Sequence, residues 1–219
     1  GQPVEAGARA KLPRRIRAVS GILGSPGRCG CGRRGPWAFW RDLAIYFCVF
    51  SVAGHWMEIG YCTLIRFGLV PGTYDPSSLI WSDWLYPFCV YGFGAVACVL
   101  VLFPVKNRLE RHFGGRVAPL LASFAANTLA CTLIELAMGL VLNRPGPDGM
   151  LPLWDYSDMF CNFMGQVCLQ NALAFGAAAT LMTWVVHPKL AAFLRQVPEG
   201  ALNLVSAGMG AGFCLLLLP

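Results

Sequence analysis

The chain has 219 residues, 56% of them hydrophobic and 13% charged, with a formal net charge of +6. Soluble domains carry roughly 25% charged residues, so this composition argues against an ordinary water-soluble fold. The excess of basic residues does not point to nucleic acid either. Nine of the 17 Lys and Arg residues precede position 42, with no aromatic residue among them until Trp37 and no recognisable nucleic-acid module.

Residues 1–41 read as a basic, disordered tail lying against the anionic cytoplasmic leaflet. Cys29 and Cys31 stand there in a Cys-Gly-Cys-Gly run with too few neighbouring ligands for a metal site. Beyond the tail the chain is expected to be all-α, a multi-pass transmembrane helical bundle of about five spans, each near the 20 apolar residues a bilayer requires. The spans are placed at 42–65, 86–105, 119–142, 165–186 and 201–218, within a transmembrane domain of 42–219. Pro119 suits a first helical turn, and the fourth span is expected to end at His187-Pro188. Gly208 and Gly212 form a GxxxG pair in the fifth. Whether the natural chain continues past Pro219 is left open.

The loops fix an expected orientation. Lys106 to Arg116 holds four basic residues and Lys189 to Arg195 two, whereas the other two loops hold only Arg66 and Arg144. By the positive-inside rule the N-terminus is cytoplasmic. The opposite loops carry Asp75, Asp83, Asp148, Asp155 and Asp158. Boundary aromatics (Trp37, Trp40, Trp81, Trp84, Tyr86, Trp154, Tyr156 and Trp184) read as interfacial belts. Most cysteines read as small hydrophobes, while Cys62, Cys89 and Cys161 sit near helix ends where a disulfide is conceivable.

Two intramembrane acids stand out, because a carboxylate at mid-bilayer costs roughly 2.5–3.5 kcal/mol on insertion scales. In the first span Cys48, Ser51, His55, Glu58 and Cys62 recur at steps of three and four, which places them on one face. Thr128, Thr132, Glu135 and Gly139 do the same in the third, and Asn162, Gln166 and Gln170 in the fourth, with Asn171 adjacent. The candidate polar site is therefore His55, Glu58, Tyr91, Asn127, Glu135, Asn162, Gln166 and Gln170. It would serve a proton, a cation or a polar solute, or else act as hydrogen-bonded glue between helices. Neither metal nor cofactor is expected: His55 and Glu58 form only an HxxE, and no HExxH occurs. No catalytic residue is assigned, since there is no hydrolase motif and no P-loop. If ATP drives the protein, the ATPase is another subunit, and Lys106–Arg116 is its best contact.

A weak internal repeat is also present. The first and third spans each carry one Glu, at 58 and 135. Each is followed by an aromatic, acidic loop and then a Phe-Gly-Ala, at Phe93–Ala95 and Phe175–Ala177. Two hairpins related by an axis along the membrane normal would produce this order, as in some transporters; chance recurrence of Phe-Gly-Ala in so apolar a chain is the alternative.

The same residues carry a family resemblance. Gly54, Trp56 and Glu58, then Pro87 and Tyr91–Gly94, are similar to the first half of the ABC-transporter type IV (CmpB-like) permease family. Glu135, Gly139, the loop motif Trp154, Asp155, Tyr156 and Ser157, then Asn162, Gly165, Val167–Leu169, Phe175-Gly176 and His187-Pro188 resemble its second half. Gln166 stands where the family usually has Arg, and Phe67 to Trp84 departs from its usual first loop. The resemblance implies a permease-like component in the cell membrane. The expected partners are membrane lipids, a separate ATPase subunit, and a second copy or larger complex. A non-transporting scaffold, with structural acids, is the alternative.

Overall fold

The computed structural model describes residues 35–72, 76–77, 79–81, 83–147 and 149–216. Most of the expected tail, with Cys29 and Cys31, lies outside them, as do Asp75 and Asp148. The fold is all-helical, with five helices long and apolar enough to cross a membrane: α1 Pro36–Arg66, α2 Cys89–His112, α3 Val117–Leu142, α4 Leu169–Gln196 and α5 Glu199–Leu216. Among the described residues the only β feature is an isolated bridge between Phe163 and Val167.

α1 starts at Pro36 rather than at 42. A proline is tolerated in the first turn because its missing N–H would go unbonded there, and the turns it opens expose Trp37, Phe39 and Trp40. Aromatics of this kind favour the membrane–water boundary. Arg41, on the same stretch, points inward instead. It is 2% exposed and bonds Asp42, Glu199 and Asn203, which docks the start of α5 onto α1.

Two helix ends differ from expectation for one physical reason. Pro104 and Pro188 do not terminate α2 and α4. Each follows a wide π turn, Cys98–Leu102 and Met182–Val186, closed by Phe103 N–H to Cys98 O and by His187 N–H to Met182 O. A proline inside a helix lacks an N–H and crowds the carbonyl four residues back. The π turn lifts that crowding, and the helix runs on to His112 or Gln196. Residues 106–112, expected as loop, are therefore helical.

α1 packs antiparallel on α2, α3 antiparallel on α4, and α5 runs along α1. These are two hairpins, and their close contacts correspond. Ser51 and Phe47 lie against Gly92, so a Cβ there would overlap them; Thr128 lies against Gly176 in the same way. Ser51 to Thr128 is a shift of 77, the shift that separates Glu58 from Glu135. Gly92 to Gly176 is a shift of 84, which also relates the two π turns and Pro104 to Pro188. The longer loop of the second hairpin accounts for most of the difference. The two Phe-Gly-Ala tripeptides are thus out of register as equivalents: Gly94 is exposed with open space around it. Phe103 and His187, equivalent under the 84-residue shift, touch with ring centroids 4.5 Å apart, as residues near a two-fold axis would.

Candidate functional site

In the first hairpin, Gly54 lets the Tyr91 ring cross α1 where a Cβ would overlap it. The Tyr91 hydroxyl then donates to Glu58 Oε2, one turn further along α1. The Gly54–Glu58 spacing and the start of the YGFG run thereby serve one contact. Trp56, between them, donates from Nε1 to Trp84 O at 2.7 Å. His55, fully buried, turns away from Glu58. Its nitrogens meet the carbonyls of Tyr86 at 2.8 Å and Ile80 at 2.9 Å, and its ring stacks on Phe88. His55 thus ties the first loop down and does not converge with Glu58 on a common ligand. Among the described residues, no group of three His, Cys, Asp or Glu side chains is placed to hold a metal.

In the second hairpin, Glu135 is half-buried, and its Oε2 has no hydrogen-bond partner. Its polar neighbours are the Tyr156 hydroxyl and Glu58. Tyr156 is not a boundary aromatic, because the loop turns it inward. Burial, reinforced by Glu135 and Glu58, pushes its hydroxyl well above the usual tyrosine value, with Asn171 opposing. Both acids and both tyrosines therefore meet where the hairpins adjoin. Tyr61 extends the junction, donating to Asn171 Oδ1 at 2.8 Å and accepting from Gln170 Nε2 at 2.5 Å; that amide also donates to Pro71 O at 2.9 Å. A recess of about 290 Å³ opens beside Gln170, lined also by Pro71, Asp158 and Phe160.

The raised tyrosine has a measurable consequence. Its extra proton affinity makes the folded state hold that proton where the unfolded chain has lost it. The associated stability is complete below about pH 10, the ordinary tyrosine value, and falls as pH rises further. In tyrosinate absorbance titrations, Tyr156→Phe should remove a component lying above the ordinary range and leave the rest of the curve in place. Loss of a component near pH 10 would contradict this placement.

The remaining candidate residues lie elsewhere. Gln166 and Asn162 precede α4 instead of belonging to it. Gln166 is buried and exchanges amide bonds with Asn143, giving Nε2 to Asn143 O at 2.9 Å and accepting Asn143 Nδ2 at 3.0 Å. It packs on Gly139, where a Cβ would collide with it. Trp154 donates to the Gln166 carbonyl at 2.9 Å. Asn162 Nδ2 bonds the carbonyls of Ser157 and Met159. Ser157 caps the turn at Asp155, its hydroxyl at 2.6 Å and its N–H at 2.9 Å from Asp155 Oδ1, which holds that exposed carboxyl below the usual range. The loop motif thus builds a rigid frame that delivers Tyr156. Asn127, 1% exposed, bonds Thr180 at 3.0 Å, about 12 Å along α3 from Glu135 at 1.5 Å per residue. Cys62, Cys89 and Cys161 are free thiols.

Sequence reasoning misses Tyr61 and Asn143. Fully buried Asn143, just past the end of α3, anchors the frame through Trp154 O at 2.6 Å, Leu153 N at 2.8 Å and Gln166. Asn143→Ala should cost about 2–3 kcal/mol, since it strands several buried partners, and hydrogen exchange across 151–168 should quicken. Unchanged protection would show that the loop holds itself.

Five helices long and apolar enough to cross a bilayer, packed as two hairpins and a fifth helix, define a multi-helix membrane protein. The chain belongs to the family described as Putative ABC-transporter type IV, whose model matches residues 45–215. No curated protein and no solved structure matches it.

Proposed function

We propose that the chain is the permease-like subunit of a transporter in the cell membrane, with Glu58 and Glu135 as the polar centre of its solute site. The observation that carries this reading is the meeting of one glutamate from each hairpin, each beside a tyrosine, at the hairpin junction. Acids in hydrocarbon are costly and sit by default where a polar or charged species is handled. A junction between two packed hairpins is also where relative movement opens and closes a path. The acids favour a proton, a cation or a solute bearing positive charge.

The opposite end carries exposed Arg108, Arg111, Arg116 and Lys189. On the positive-inside rule this end is cytoplasmic, which makes it the contact for a separate ATPase. Gentle-detergent purification from native membranes, followed by mass spectrometry, tests the partnership. A stoichiometric ATPase lost on charge reversal of Arg108 and Arg111 is the expected result. Recovery of the chain with other partners only would remove the ATP-driven form of the proposal.

A further inference from the structure

Among the described residues, the buried side-chain polar atoms without a hydrogen-bond partner are Ser123 Oγ, Thr128 Oγ1, Glu135 Oε2 and Trp184 Nε1. All four belong to α3 and α4, and none to the first hairpin. Ser123 is 1% exposed, so its hydroxyl has no access to bulk solvent. A buried polar group in a native structure is nearly always bonded, to water where protein does not serve. From Ser123 to Glu135 the unbonded atoms of α3 span about 18 Å, at 1.5 Å per residue. Between them lies Asn127, bonded to Thr180, and Thr183 is fully buried one turn beyond.

The first hairpin is a control within the same molecule. The positions equivalent to Ser123, Asn127, Thr180 and Thr183 are Tyr46, Phe50, Val96 and Val99. The first hairpin has apolar Phe50, Val96 and Val99 where the second has Asn127, Thr180 and Thr183, and its own buried hydroxyls, Tyr46 and Ser51, are bonded to His187 and to the Phe47 carbonyl. The second leaves the Ser123 and Thr128 hydroxyls and Glu135 Oε2 without a partner.

We propose that the α3–α4 contact face is a hydrated proton path connecting Glu135 with the basic end of the bundle. It deepens the reading of Glu135 as a working group and rests on it, naming the proton as an ion that group exchanges and the side from which it comes. Water bridging Ser123, the Asn127–Thr180 pair and Thr128 delivers a proton to the Glu135 carboxylate and takes it back by the same route. The titratable groups around Glu135 are Glu58, Tyr156, Cys131 and Cys168. The first two lie toward the loops, while Cys131, whose thiol faces the Phe175 carbonyl, sits on the basic-end side of Glu135 within the path itself.

Infrared spectroscopy of the full chain in lipid tests this. The protonated carboxyl band of Glu135, identified by its loss in Glu135→Gln, is followed after transfer to deuterated buffer. Asn127→Leu and Thr180→Val should each slow its exchange about tenfold or more, the effect of a barrier higher by about 1.4 kcal/mol. Thr128→Val, a near-isosteric change that removes an unbonded hydroxyl, should slow exchange without loss of folded protein, which covers failure of Asn127→Leu to fold. Exchange unaffected by Thr180→Val and Thr128→Val but slowed by Tyr156→Phe would overturn the proposal, placing the proton's entry at the loops. A Glu135 that never carries an exchangeable proton would overturn it equally. Solute flux lost in Glu135→Gln with exchange indifferent to the α3–α4 face would leave the transport reading standing and remove this path. The reverse pattern would remove the transport reading alone.

Discussion

Gly92→Val and Gly176→Val should each prevent normal assembly of a hairpin, while Gly94→Val should be nearly silent. The two sensitive glycines lie where helices touch backbone to side chain. A Cβ at Gly92 would come within 2.6 Å of the Phe47 carbonyl oxygen, and one at Gly176 within 3.0 Å of Thr128 Cα. Neither neighbour is the far end of a flexible side chain, so relief requires the helices to part. Overpacking costs typically about 1–3 kcal/mol when side chains can adjust, and rigid backbone puts these positions at or above the top of that range. Gly94 faces open space. Recovery of monodisperse protein and its thermal midpoint would check the contrast. Equal effects at Gly92 and Gly94 would show that the hairpins pack in a different register.

Arg41→Met should release α5 from α1. The guanidinium bonds Asp42 at 2.9 Å, Glu199 at 3.2 Å and Asn203 at 2.9 Å, with its own side chain fully buried. Breaking a buried ion pair from one side costs about 3–5 kcal/mol. Glu199 is half exposed, so solvent screens its share and the lower end applies. Phe47 and Phe213 pack with ring centroids 5.4 Å apart on the same two helices. Cysteines placed at those two positions should be joined by a short bifunctional thiol reagent in the parent and escape it in Arg41→Met. Arg41→Lys should fall between, since a point charge cannot reproduce the planar fork. Undiminished cross-linking in Arg41→Met would mean that α5 is held by its apolar contacts alone.

Much of this architecture is readable from apolar run length, which is a local property: the five helices stand at the expected places. What fails locally is the reading of Pro188 as a terminator and of residues 106–112 as loop, because a π turn is a backbone adjustment without a composition of its own. The site is legible in part. Glu58, Glu135 and Tyr91 follow from the cost of burying acids and from the family resemblance, and the structure brings them together. Tyr156 is visible only as a loop-motif residue and a boundary aromatic, because its inward course depends on Asn143, Gln166 and Gly165, contacts that close across the loop rather than along a helix. His55 shares a helical face with Glu58, yet its partners are carbonyls of a loop whose path periodicity cannot indicate. Gln166 reads as helical because its neighbours are apolar, whereas it anchors the segment before a helix.

The central claim is that the two glutamates at the hairpin junction serve a transported species. Its most direct test is charge movement across a solid-supported membrane carrying the purified protein with its co-purified partners, challenged with pH steps and a panel of inorganic and organic cations. The account predicts a wild-type response that disappears in Glu58→Gln and Glu135→Gln while both variants remain folded. Responses unchanged in both variants would contradict it and leave the acids as structural bonds between helices.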